Sequence, residues 1–223
     1  MAAMSNTVKQ SVAGDFDAAF FALPLVAILR GIRPDEVVQI GMRLYEEGFR
    51  MIEVPLNSPA AFDSIAALAA RLPSDAILGA GTVMSIDDVQ RVQQSGGKLI
   101  VMPHADAKVI MAAKMANMFC IPGAATPSEI FQALHAGADA VKLFPAELVT
   151  PVVLRAMRAV VPASKRLLPV GGITPTTMGE YRRAGASGFG LGSALYAPGM
   201  LADDVAQSAR SFAGAWRDLN RKD

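Results

Sequence analysis

The chain carries one cysteine, Cys120, and two histidines, His104 and His135. A lone thiol excludes an intrachain disulfide and any multi-thiolate zinc site, and it fits a reducing cytoplasm. With so few imidazoles, metal coordination is also poorly supplied. Neither sign of charge is in excess: 21 basic residues face 20 acidic ones, and no Lys/Arg run forms the stripe that nucleic acid or an anionic membrane requires. No apolar run approaches the roughly 20 residues of a membrane span. The start, MAAMSNTVKQSVAGDFDAAFFALP, does not read as a signal peptide, because Asp15 and Asp17 interrupt it. Aromatics make up only 6% of the chain, and the apolar half is dominated by Ala, Val, Ile, Leu and Met. That balance suits parallel strands covered on both faces by helices.

What is present is repetition. Short apolar runs recur at LVAILRG (25–31), MIEVPLN (51–57), ILGAGTV (77–83), LIVMP (99–103), FCIPGAA (119–125), AVKLFPA (140–146), LLPVGGI (167–173) and GFGLGSAL (188–195). Segments with helical spacing lie between them, such as Val37, Ile40, Leu44 and Ile65, Leu68, Leu72. Eight such alternations predict an α/β fold, a (β/α)8 TIM barrel, and 223 residues is near the usual length for one. Residues 1–14 read as a flexible tail and 15–223 as a single domain. It opens with a short amphipathic helix over 15–23 that could plug or cover one end. Ser58-Pro59, Thr126-Pro127, Thr150-Pro151 and Thr174-Pro175 predict helix starts, each with an N-cap hydroxyl before a proline at the first helical position. Gly48, Gly96, Gly137 and Gly185 are placed for left-handed helix ends.

In such barrels the active site lies at the carboxyl ends of the strands, so polar residues late in each run are the candidates. They are Arg30, Glu53, Asn57, Thr82, Lys142 and the turns Gly171-Gly172 and Gly192-Ser193. Lys142 stands in an otherwise apolar run. Burial there would lower its pKa from about 10.4 and supply the free amine that attacks a carbonyl. A lysine snorkelling from a strand end is the bland alternative. Glu53 is likewise a carboxylate in an apolar strand, able to move protons beside Lys142 or to form a structural ion pair with it. The glycine turns after the last two strands can close their N–H groups around a phosphate, or serve only as tight turns. Thr82 could hold a carboxylate and Arg30 could grip carboxylate or phosphate in two bonds. Cys120 reads as a core residue and His135 as surface.

Together AILRGI, EVPLNSP, GAGTV, PGAATPSE, VKLFPAE, PVGGITP and GLGSALY resemble the 2-keto-3-deoxy-6-phosphogluconate and -galactonate aldolases, over roughly residues 22–215. The resemblance implies a class I aldolase releasing pyruvate and glyceraldehyde 3-phosphate from a phosphorylated keto-deoxy sugar acid, with no cofactor or metal, as a homotrimer. It implies that Lys142 forms the Schiff base, Glu53 is the general acid/base, Thr82 holds the pyruvate carboxylate, and Gly172, Gly192 and Ser193 cradle the phosphate. Asn57 stands where phosphogluconate enzymes usually carry arginine, and Arg30 supplies a guanidinium from the first strand, which favours the galactonate type. Phosphogluconate and 4-hydroxy-2-oxoglutarate are the alternative substrates, and a non-catalytic phosphosugar-binding barrel is the reading from another class. Met102-Pro103-His104 departs from the family pattern, leaving the fit of substrate near that loop open.

Overall fold

The computed structural model describes residues 16–221, so the expected tail over 1–14 lies outside the described residues. Strands alternate with helices along the chain. The strands are β1 (Leu25–Ile28), β2 (Met51–Pro55), β3 (Ile77–Gly81), β4 (Leu99–Val101), β5 (Phe119–Ile121), β6 (Gly123–Ala124), β7 (Val141–Leu143), β8 (Leu167–Pro169) and β9 (Phe189–Leu191). The helix α1 covers residues 16–22. It is followed by α2 (Pro34–Glu46), α3 (Ala61–Ala69), α4 (Ile86–Gln94), α5 (Ala107–Met115), α6 (Pro127–His135), α7 (Pro151–Arg158), α8 (Met178–Arg183) and α9 (Ala202–Asn220).

Every apolar run contains strand, but the fifth is in two pieces. Pro122 has no N–H to continue the ladder, so β5 pairs with β4 and β6 pairs with β7. The strands form two curled sheets, one in the order β5-β4-β3-β2-β1-β9 and one in the order β6-β7-β8, with every pairing parallel. A parallel bridge, Val170 to Gly190, links the two sheets beyond β8. The architecture is therefore an α/β fold of curled parallel sheets with helices outside.

Side-chain alternation divides the apolar residues into two clusters. Leu25, Ala27, Ile52, Val54, Val141 and Leu143 pack outward against the helices. Val26, Met51, Ile77, Leu99, Phe119 and Leu168 pack together on the inner side. Phe16 of α1 joins the inner cluster at 2% exposure, its ring 4.9 Å from that of Phe119. Arg166, just before β8, pairs with Asp17 at 2.6 Å and lies over the Phe16 and Phe20 rings. Helix α1 thus covers the amino ends of the strands and leaves the carboxyl ends for chemistry.

The expected helix boundaries are mixed in outcome. Thr126 caps α6 with its hydroxyl and Glu129 completes a capping box, while Thr150 caps α7 in position but without a side-chain bond. Two expected starts are wrong. Helix α3 begins at Ala61 because the Ser58 hydroxyl accepts the Gly31 N–H instead, 2.9 Å away. Helix α8 begins at Met178 because Thr174 closes a local turn with Thr177. Leu72 lies beyond α3, half-buried against the core. Gly48, Gly96, Gly137 and Gly185 all have positive φ, as expected after helix ends.

Since Phe16 fills the amino end of the interior, Phe16→Ala is expected to cost about 3 kcal/mol of stability. Urea unfolding with an unchanged slope would report it, and a loss below about 1 kcal/mol would mean that the ring is not part of the core.

Candidate active site

The inward alternation that selects Met51 also selects Glu53, two residues on, since Ile52 and Val54 face outward. Val141 and Leu143 likewise leave Lys142 facing inward. Glu53 is 2% exposed and Lys142 5% exposed. In register Glu53 sits beside Ile28 and Gly79, and Lys142 beside Gly123 and Leu168. Two ionisable groups are therefore set in an apolar interior.

Burial pushes the Glu53 carboxyl up to about 7, against the opposing influence of the Lys142 and Arg30 charges. Its Oε2 is buried and accepts no hydrogen bond among the described residues. Burial draws the Lys142 ammonium below the usual amine range; Glu53 opposes this shift and Arg30 adds to it. Near neutral pH the carboxyl is therefore able both to give and to take a proton. The lysine holds a larger share of free amine than a solvated one. Lys142 Nζ also lies 4.5 Å from the Phe144 ring centroid. Gly81 is the residue that leaves room for Glu53, since a Cβ there would collide with the carboxylate.

A cavity of about 270 Å³ opens above Lys142. Arg30, Lys142, Gly171, Gly172, Gly192 and Ser193 all line it, so six of the candidates named from sequence meet in one place. Asn57 reaches it indirectly, accepting a hydrogen bond from Arg30 Nη1 at 2.9 Å. Thr82 stands just past β3, half-buried and with φ +57°, a left-handed conformation that is uncommon for a β-branched residue. It is not part of the cavity lining. Met102 is fully buried in the outer core against Cys120, whose thiol burial pushes up to about 12. His104 is half-buried and outside the lining, and His135 is exposed.

The chain matches the family model for KDPG and KHG aldolase over residues 17–210. It belongs to that family. A protein of Rhizobium meliloti (strain 1021) named "Probable 2-dehydro-3-deoxy-6-phosphogalactonate aldolase" is 42% identical over 86% of this chain and 91% of its own length. The Escherichia coli (strain K12) protein named 2-dehydro-3-deoxy-6-phosphogalactonate aldolase is 41% identical, over 88% and 96%. The solved "Native KDPGal structure" superposes with a TM-score of 0.87 at 40% identity, covering 89% of this chain and 97% of that one. The chain is thus an aldolase, a carbon–carbon lyase.

Several residues of this candidate site escaped the sequence reading. Ser58 holds the Arg30-Gly31 turn, yet its Ser-Pro spacing mimics a helix cap. Tyr181 donates to the Ala146 carbonyl and Ala146 N–H to the Val170 carbonyl, tying the loops after β7 and β8 together. Glu147 packs where a Cβ on Gly171 would lie, which explains why that turn holds glycine. Phe144 and Val170 line the cavity but carry no polar signal in sequence.

A carboxyl whose folded pKa is raised, to about 7, contributes stability that is fully present below the ordinary carboxyl pKa and is lost as pH rises through 7. Relative to Glu53→Gln, the native chain is therefore expected to lose about 2 kcal/mol between pH 5 and pH 8. Paired thermal melts of the two proteins measure this, and parallel pH profiles would refute it.

Proposed function

We propose that this aldolase cleaves 2-dehydro-3-deoxy-6-phosphogalactonate to pyruvate and glyceraldehyde 3-phosphate through a Schiff base on Lys142. The observation that carries the reading is the desolvated Lys142, coupled to the Glu53 carboxyl, at the floor of a cavity whose rim is formed by two glycine turns. The Lys142 amine adds to the C2 carbonyl and water leaves, giving a protonated imine. Glu53 supplies the proton that carries off the hydroxyl. The C3–C4 pair then moves into the imine as the C4 hydroxyl loses its proton to Glu53 and glyceraldehyde 3-phosphate departs. The resulting enamine takes a proton at C3, and hydrolysis frees pyruvate and the amine.

In this reading Gly171, Gly172, Gly192 and Ser193 hold the phosphate, and Thr82 and Arg30 hold the carboxylate end. The bond from Arg30 to Asn57 supports the galactonate preference, because it seats the guanidinium at the cavity from the first strand. No metal or organic cofactor is needed for these steps. We further propose that the two sheets close into a (β/α)8 barrel, a reading supported by the Val170–Gly190 bridge and by the interruption at Pro122 alone between β5 and β6. The proposed domain runs over 15–223 and works in the cytoplasm as a homotrimer. Exposed Met111 and Met115 on α5, together with Val152 on α7, offer apolar surface for that assembly. Among the described residues no helix is long and apolar enough to cross a membrane.

Borohydride treatment in the presence of pyruvate should label Lys142, and peptide mass mapping that finds no adduct there would end the mechanism. Glu53→Gln should slow pyruvate labelling of Lys142, because the acid that expels water is gone, and lower kcat by about 10²–10⁴. Cleavage of the galactonate substrate should exceed that of its C4 epimer, and equal rates would remove the substrate assignment.

A further inference from the structure

The turn that carries Arg30 and the turn that carries Gly192 and Ser193 line the same cavity, and they follow neighbouring strands, since β1 pairs with β9. The ladder between those strands stops at Ala27 and Leu191, short of both turns. Beyond it a buried phenol joins them. Tyr196 lies between β9 and α9, 2% exposed, and its hydroxyl donates to Glu36 Oε1 at 3.1 Å. Burial and the Glu36 charge push this phenol above its usual range, so the hydroxyl keeps its proton and remains a donor.

Each end of that bond is tied to a cavity group. On the β9 side the N–H groups of Leu195 and Tyr196 both donate to the Gly192 carbonyl, at 2.8 and 3.0 Å, so Tyr196 and the Gly192-Ser193 turn form one closed unit. On the β1 side Glu36 Oε1 also accepts the Arg33 N–H at 3.1 Å, and the Ile32 N–H donates to the Leu29 carbonyl at 3.3 Å across the Arg30-Gly31 turn. A second contact runs alongside, because Pro198 packs so closely on Gly31 that a Cβ there would lie 2.8 Å from its ring. The Arg30 turn has a separate anchor on the β2 side, where Ser58 accepts the Gly31 N–H and Asn57 accepts from the guanidinium. The Tyr196 bond therefore does not hold Arg30 itself. It holds the β9 turn at a set distance from Arg30.

We propose that Tyr196 is a positioning residue that sets the span between Arg30 and the Gly192-Ser193 turn, and that it thereby tunes this aldolase to keto acids with an anionic group at each end. The proposal rests on the reading in which Arg30 holds the carboxylate end and the glycine turns hold the phosphate. A ligand gripped at both ends loses affinity when the two grips drift apart, whereas a ligand gripped at one end does not.

Tyr196→Phe removes the donor and keeps the ring. It is expected to raise KM for the phosphorylated substrate about tenfold, the scale of one hydrogen bond to a charged acceptor, with kcat within about twofold of native. Borohydride labelling of Lys142 by pyruvate, the one-ended ligand, should keep its native rate. Glu36→Ala removes the same bond from the other side, so adding Tyr196→Phe to it should raise KM no further. Amide exchange supplies an arm that is free of the chemistry: in Tyr196→Phe residues 192–196 should exchange faster than in the native chain, with β4 unchanged. A native KM in Tyr196→Phe overturns the proposal, as do pyruvate labelling weakened as much as KM, additive effects of the two substitutions, or unchanged exchange over 192–196. If the native chain gives no pyruvate adduct at Lys142, the Schiff-base reading fails, and the KM and exchange comparisons still decide the role of Tyr196.

Discussion

Glu53 and Lys142 share an interior that strips most of the water from both charges, and the rest of the candidate site is organised around that shared desolvation. The inner wall consists of Val26, Met51, Leu99, Phe119 and Leu168, none of which offers a hydrogen bond from its side chain. Under these conditions each of the pair, with Arg30, becomes the main electrostatic influence on the other. A lysine in polar company shows the contrast. Lys114 meets Asp139 at 2.5 Å, and the same carboxylate also accepts the Cys120 N–H at 2.8 Å. There the charges are satisfied and the role is structural, whereas Glu53 Oε2 has no such donor among the described residues.

That interior needs one closed end and one open end. Phe16 closes the amino end with an aromatic contact to Phe119, and Arg166 holds α1 in place through Asp17 and the two phenylalanine rings. At the carboxyl end the strands stop early and their loops bind to each other. Gly31 is tied to Ser58, Arg30 to Asn57, and Ala146 to Tyr181 and Val170. Such loop-to-loop bonds preorganise a cavity without filling it. The proposed imine chemistry draws on both ends, because the plug excludes water from beneath and the loops admit substrate from above.

Much of the catalytic proposal was readable from residue order. Period-two alternation in MIEVPLN and AVKLFPA already put Glu53 and Lys142 in apolar strands, and the glycine turns were marked by composition. The residues that the reading missed are those whose role lies in three dimensions. Ser58 looked like a cap because Ser-Pro has the same spacing in a turn, and Glu147 had no meaning until it was seen against Gly171. Thr82 was expected among the substrate contacts, yet it stands outside the cavity lining, so its role in the proposal rests on resemblance and on its unusual backbone.

Local chemistry follows from sequence because strand alternation, proline's missing N–H and glycine's access to positive φ are properties of a few adjacent residues. They determined the alternating α/β pattern, the apolar setting of Glu53 and Lys142, and the break at Pro122. Tertiary structure alone decided that Arg30 and Lys142 share one cavity, that Gly81 yields its space to Glu53, and that three arginines from α7 and α8 gather at the far end of the strands. Those outcomes depend on which distant segments the curled sheets bring together, and desolvation and electrostatic coupling exist only after that meeting.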